Sequence, residues 1–302
     1  MLVKLSFTIF VVLMISMAWI GSMVFYRPGL NLKVMKAMIF AAGLGTRLKP
    51  ITDTMPKALV SVGGKPLLEH VAGKLMASGI DEVVVNVHHF AESIEDWVDG
   101  QDWICTDPSR KKDGMLQVHI SDERKMLLET GGAVLHARRF LDGCGRFLIH
   151  NVDIMSNADL RWFGEQVNDD ALATLLVSER PTRRFLLFER GTMRLVGWHN
   201  IDTGDYSLTD PSLNVEDCLA YGFSGIHIMS DRVFDLMEQY VAEKGLTADP
   251  EAGVRFPIKD FYLWAATRMP VYGVVAGGLD ILDVGKLDTL SQAEDMVRRF
   301  LV

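Results

Sequence analysis

The stretch AAGLGTRLKPITDTMPKALVSVGGKP, residues 41–66, gathers Arg47, Lys49, Lys57 and Lys65 around a pair of glycines, with Asp53 as its one acid. Elsewhere acids prevail, and the 302-residue chain carries a net charge of −8. A local cluster of cations in an acidic chain points to a small, strongly anionic ligand. The same balance argues against a nucleic-acid partner, whose phosphate backbone is met by a broad basic face. Gly43 and Gly45 let the backbone approach such a ligand and turn its amides toward phosphate oxygens. The pattern is not a Walker loop, which has GKS or GKT after the second glycine. Nor is it a dinucleotide fingerprint, because Leu48 stands where the third glycine belongs.

Such a loop needs a strand before it and a sheet around it. AMIFAA (37–42) is a short apolar run closed by glycine, which suits a buried parallel strand. PLLEHVAGKLMASG (66–79) sets Leu67, Leu68, Val71, Leu75 and Met76 on one helical face and stops at Gly79. EVVVNV (82–87), LQVHIS (116–121) and RFLIHN (146–151) read as further strands, and AESIEDWV and GGAVLHARRFL (131–141) as the helices between them. This alternation predicts an α/β fold: a Rossmann-like, mixed and mostly parallel sheet with helices on both faces. In the second half, 171–179, 185–189, 193–199 and 220–229 read as strands, the middle pair as a hairpin. DRVFDLMEQYVAEKG, FPIKDFYLWAATR and LDTLSQAEDMVRRFL read as helices. With 49% hydrophobic residues, no repeat and no linker, residues 35–302 are expected to form one domain around a sizeable core.

Residues 1–34 stand apart. The uncharged run 5–26 is long enough to cross a bilayer, and Arg27, Lys33 and Lys36 after it would leave the rest of the chain on the cytoplasmic side. Alternatively Met35 is the initiator of a cytoplasmic protein. Cys105, Cys144 and Cys218 lack the spacing of a zinc site or a disulfide framework and are expected to be buried thiols.

The string AAGLGTRLKPITDTMPKALVSVGGKPLLEH, followed in order by LLETGGAVLHA (127–137), LIHNVDIM (148–155) and ILDVGKLDTL (281–290), resembles the sugar-1-phosphate nucleotidyltransferases over nearly all of the chain after Met35. The resemblance implies the nucleotide-diphospho-sugar transferase fold and transfer of a nucleoside monophosphate from a nucleoside triphosphate to a sugar 1-phosphate, with release of pyrophosphate. Phosphoryl chemistry of this kind asks a protein for positioning and for cations set against accumulating negative charge. LETGGA, together with the short length, is most similar to the N-acetylmuramate-1-phosphate uridylyltransferases. Mannose- or heptose-1-phosphate guanylyltransferases and choline-phosphate cytidylyltransferases share much of the pattern.

By the same resemblance Ala42, Gly43, Leu44, Gly45 and Thr46 cradle the triphosphate, Arg47 holds the departing pyrophosphate, and Lys57 lies between the α-phosphate and the sugar phosphate. Asp153 and Asp283 take a magnesium ion, which favours one or two carboxylates plus substrate phosphates. Val152 stands where relatives have glycine and Lys286 where threonine is frequent. Glu129, Gly131 and Gly132 are the candidates for the base. Asn151, Ser224 and Gly225 are those for the sugar. The family's Glu-Lys-Pro motif is replaced by SERPTRR, with Arg180 and Arg183 nearby. His88, His89 and Lys259 carry no assigned role, and Lys49 and Lys65 read as surface charges. A nucleotide-sugar-binding or assembly protein without catalysis is the competing class. The joint presence of Arg47, Lys57, Asp153 and Asp283 speaks against it.

Overall fold

A computed structural model describes Leu32 and residues 35–300. The first strand, β1 (Lys36–Phe40), alternates its side chains between two cores, Ala37 and Ile39 to one and Met38 to the other. Short 3-10 turns at Thr46–Leu48, Ile51–Asp53 and Lys57–Leu59 follow, then the hairpin β2 (Ser61–Val62) and β3 (Lys65–Pro66). The first half continues through α1 (Leu67–Ala77), β4 (Glu82–Val87), α2 (Ala91–Asp99), β5 (Ile104–Cys105) and β6 (Leu116–Asp122). It closes with α3 (Glu129–His136), α4 (Arg138–Leu141), β7 (Arg146–Asn151), β8 (Ile154–Ser156) and α5 (Leu160–Glu165). The second half comprises β9 (Ala173–Ser178), β10 (Arg184–Phe188), β11 (Leu195–Asn200), β12 (Tyr206–Leu208) and β13 (Leu219–Ser230). It ends with α6 (Val233–Glu243), α7 (Ile258–Ala266), β14 (Val271–Val275), β15 (Ile281–Asp283) and α8 (Leu287–Phe300).

The large sheet runs β12-β11-β10-β13-β7-β1-β4-β6-β5, with β9 beside β13 and β14 beside β9. The five strands from β7 to β5 are parallel, and β13 runs antiparallel to β7, β9 and β10. The expected β10–β11 hairpin is present. Helices cover both faces: α1 and α2 pack with Val83, Val85 and Leu148, while α3, α6 and α7 pack with Val84, Phe147 and Ile149. Phe147 stacks on Phe234 of α6 with ring centroids 5.7 Å apart. Full burial of a side chain of this kind stabilises by roughly 1.5–3 kcal/mol.

The chain steps outward from β1 to β4 to β6, then returns as β7 on the opposite side of β1. Such a reversal opens a crevice beyond the carboxyl ends of the two central strands, where open α/β sheets bind ligands. The glycine loop leaves β1 there, and Asp153 follows β7 there.

The apolar run 5–26 lies outside the described residues, whereas Met35, the alternative start, is described and buried just ahead of β1. Among the described residues no helix is long and apolar enough to cross a membrane. The cysteines are free, but only Cys105 is buried; Cys144 and Cys218 are half-buried, which corrects the expectation of three buried thiols.

Candidate active site

The crevice is a cleft of about 370 Å³ walled by Ala42, Gly43 and Lys57 from the β1 side, Asn151 and Asp153 from the β7 side, and Glu129 and Thr130 from the start of α3. Gly45 adopts a φ of +63°, and a Cβ there would lie 2.8 Å from Thr52 Cγ2. Both the left-handed backbone and the close packing exclude a larger residue. The Thr52 hydroxyl donates to Gly45 O at 2.8 Å, which pins the turn. The amides of Gly43, Leu44 and Gly45 have no acceptor among the described residues. Gly43 and Leu44 are exposed, and Gly45 is half-buried.

Lys57 is buried at the start of its 3-10 turn, and its ammonium donates to Asp153 Oδ2. The short strands β8 and β15 pair antiparallel with Asp283 opposite Ile154, and the Val284 amide donates to Asp153 O at 2.8 Å. This ladder carries Asp283 to the side of Asp153 although the two are far apart in sequence. Arg47 Nη2 lies 3.7 Å from Asp283 Oδ2, over Gly285, where a Cβ would meet the guanidinium. The fold therefore assembles Arg47, Lys57, Asp153 and Asp283 at one mouth of the cleft.

The donor set fits a divalent cation with oxygen ligands. Asp283 Oδ1 is buried with no hydrogen-bond partner among the described residues, an acceptor of the kind that an ion would satisfy. Among the described residues no group of three or more His, Cys, Asp and Glu converges. Two carboxylates leave the other coordination positions to phosphate and water, as magnesium prefers.

Several candidates are placed otherwise than the sequence suggested. Gly131 and Gly132 lie inside α3, which opens at Glu129, and both amides donate to Phe256 O, at 2.9 and 3.1 Å. A Cβ on Gly132 would overlap Val254 O, and one on Gly131 would overlap the Phe256 ring. These glycines let the 254–256 segment pack on the helix and present no amide to a nucleobase. Glu129 and Thr130 face the cleft instead; Glu129 is also paired with Arg255 at 2.7 Å. Ser224 is fully buried and donates to Leu176 O at 2.6 Å. Its hydroxyl supports the irregularity in β13 between Phe223 and His227 and is not offered to a sugar. Gly225, with φ of +73°, lies against Asn151: a Cβ there would come within 2.8 Å of Asn151 Nδ2.

Arg180 packs against Gly222 and donates to Phe223 O at 2.8 Å. Burial pushes its pKa down and nearby Asp283 pushes it back. Arg183 pairs with Asp202 at the surface. Lys259 pairs with Asp260 and lies 4.6 Å from the Trp198 ring centroid. The His88 ring bonds Glu123 O at 2.7 Å, and the His89 ring lies tilted against Phe90, centroids 4.1 Å apart. Lys49 and Lys65 make exposed pairs with Asp53 and Glu69.

The residue that sequence reasoning missed is Glu123. It is buried behind the cleft and bonded to Asn86, whose Oδ1 accepts the Ala41 amide at 2.7 Å. Its position between Asp122 and Arg124 reads as a solvated charge run; only its place directly after a largely buried strand hints otherwise.

Both the sequence and the fold are similar to those of known proteins. The family model described as nucleotidyl transferase matches residues 36–186. The N-acetylmuramate alpha-1-phosphate uridylyltransferase of Caulobacter vibrioides is 35% identical over 202 residues, covering 65% of this chain and 76% of that protein. The protein of the same name from Neisseria meningitidis is 32% identical over 211 residues, 68% of this chain and 79% of that one. Among solved structures, UDP-glucose pyrophosphorylase complexed with UDP-glucose superposes with a TM-score of 0.64 at 16% identity, covering 88% of this chain and 98% of that one, a likeness of fold. With half of its length matched by the family model, and with relatives matched over three quarters of theirs, the chain belongs to the nucleotidyl transferase family.

Proposed function

We propose that this nucleotidyltransferase joins UTP and N-acetylmuramate 1-phosphate into a UDP-sugar with release of pyrophosphate. A sugar-phosphate oxygen attacks the α-phosphorus in line, a P–O bond forms there, and the bond to the β-phosphate breaks. The amides from Gly43 to Thr46, with Ala42, hold the triphosphate, and Arg47 meets the charge that grows on the departing pyrophosphate. Lys57 stands between the α-phosphate and the incoming sugar phosphate, and Glu129 and Thr130 border the base. Asn151, beside Gly225, borders the sugar. Asp153 and Asp283 would hold magnesium, which supplies charge neutralisation between phosphate oxygens. Arg180, half-buried and near Asp283, comes from the SERPTRR stretch that replaces the family's Glu-Lys-Pro motif.

The observation that carries this reading is the pairing of Lys57 with Asp153, beside which the β8–β15 ladder sets the Asp283 strand, at the carboxyl ends of β1 and β7. The named relatives supply the choice of base and sugar. We place the reaction in the cytoplasm, where nucleoside triphosphates are made. Pyrophosphate release from UTP, GTP, CTP and dTTP, each with a panel of sugar 1-phosphates and magnesium, tests the reading. UTP with N-acetylmuramate 1-phosphate is expected to be turned over best. Preference for GTP with a mannose or heptose 1-phosphate would replace the substrate assignment. Nucleotide binding without turnover of any pair would replace catalysis by sensing.

A further inference from the structure

Two segments that wall the cleft are joined from behind by one side chain. Glu123, at the end of the β6 region, is 2% exposed. Its Oε1 accepts from Asn86 Nδ2 at 2.8 Å, and Asn86 Oδ1 accepts from the amides of Ala41 at 2.7 Å and Ala42 at 3.4 Å. Its Oε2 accepts from the Leu128 amide at 3.3 Å. One carboxyl thus reaches the root of the glycine loop through Asn86 and the 127–130 segment directly. Its own backbone is tied down as well, with the Glu123 amide on Val87 O and its carbonyl on the His88 ring.

We infer that Glu123 is a positioning residue which sets the distance between the phosphate-holding loop and the base-side segment, so that nucleotide affinity depends on its two acceptor oxygens. The inference rests on the functional reading above for the ligand, but the clamp is a property of the chain alone. Both bonds use the carboxyl as an acceptor. An ionised group makes both bonds at full strength, whereas protonation leaves one oxygen a hydroxyl and a weaker acceptor, and the longer bond, to Leu128, is the one to weaken. Burial raises the Glu123 pKa to about 7, opposed by its bonds to Asn86 and Leu128 and assisted by the Asp122 carboxylate. No cation pairs with Glu123 among the described residues: Arg124 turns onto Asp122, Glu92 and Glu95. Lys125 goes to Glu251, Arg255 to Glu129, and the His88 ring meets only the Glu123 carbonyl. The clamp is therefore set at high pH and loosened as pH falls through about 7.

Glu123→Gln keeps the shape but offers one acceptor and an NH2 where two acceptors are needed, leaving one buried donor unmatched. At pH 8 this substitution is expected to raise the KM for UTP about tenfold while kcat stays within about threefold. The rise in wild-type KM toward pH 6 should be absent from the variant. Hydrogen–deuterium exchange without ligand, corrected for intrinsic rates, reads the clamp separately. Peptides covering 126–130 should exchange faster in the variant, and in the wild type at pH 6 than at pH 8. An unchanged KM with an unchanged pH profile overturns the inference. If the variant does not fold, protection of 126–130 in the wild type that is flat from pH 6 to 8 overturns it equally. Failure of the wild type to use UTP counts against the uridylyl reading alone. The exchange measurement then stands, and the kinetic one is made with the nucleotide identified by the panel.

Discussion

Replacing Asp153 by Asn keeps the size of the side chain and a hydrogen-bond acceptor for Lys57 but removes a charge from the mouth of the cleft. Turnover is expected to fall by about 10²-fold or more, and the melting temperature to fall as well, because the buried Lys57 ammonium keeps an acceptor but loses its counter-charge. Lys57→Ala should lower turnover comparably. It also leaves Asp153, which is 18% exposed at its side chain, without its partner, so this variant should lose stability as well. Circular dichroism and calorimetry on both proteins separate the two effects. Wild-type turnover in either variant would remove these groups from the mechanism. Chelation of magnesium should abolish pyrophosphate release and leave the melting temperature in place, because no cluster of three or more ligating side chains among the described residues depends on an ion. Restoration of activity by added magnesium completes that test.

At the scale of elements, two glycines that look alike in sequence differ in what they permit. Gly132→Ala would drive a Cβ into Val254 O and is expected to cost about 1–3 kcal/mol, read as a melting temperature lower by several degrees. Gly43→Ala meets nothing within 4 Å and should melt like the wild type, while weakening nucleotide binding if the loop faces phosphate as proposed. The same contrast shows what was legible. EVVVNV and RFLIHN are the bounds of β4 and β7 because β-branched and apolar runs between polar breaks leave little choice of strand. The helix over LETGGA is equally visible, although it starts two residues earlier than GGAVLHARRFL suggested and breaks at Ala137. The reason for its glycines was not visible, because it lies in the 254–256 segment, more than a hundred residues away. The strands β8 and β15 are three residues each and stable only as a pair; no local periodicity marks them. Arg47, Lys57, Asp153 and Asp283 stood out because each sits in a short motif of glycines and charges that is read locally. Glu123 did not, because burial of a charge is decided by tertiary contacts.

For the molecule as a whole, acid should act first through its buried imidazoles. Burial lowers the His150 pKa to about 4 and the His227 pKa to about 3, and the second is further depressed by His150. An unfolded chain binds protons at these rings from about pH 6.5 downward, whereas the folded chain refuses them. The stability they confer is present above pH 6.5 and is lost as pH falls toward 4. Glu123 works in the opposite sense: its carboxyl, raised from 4.5 to about 7, favours the folded state below 4.5, a contribution lost as pH rises through about 7. The two rings outweigh the one carboxyl. The urea midpoint should therefore fall between pH 6.5 and 4, and more steeply in Glu123→Gln; a flat midpoint in the wild type would contradict this. The pairing of β15 with β8 carries one more implication, for biosynthesis. A polypeptide emerging from the ribosome has its parallel strands and its glycine turn long before Asp283 exists, so it can fold around most of the cleft while still lacking one of the two acids proposed to hold magnesium. Enzymatic competence on this reading arrives only once β15 has been made, and premature release after β14 should yield a compact but silent protein.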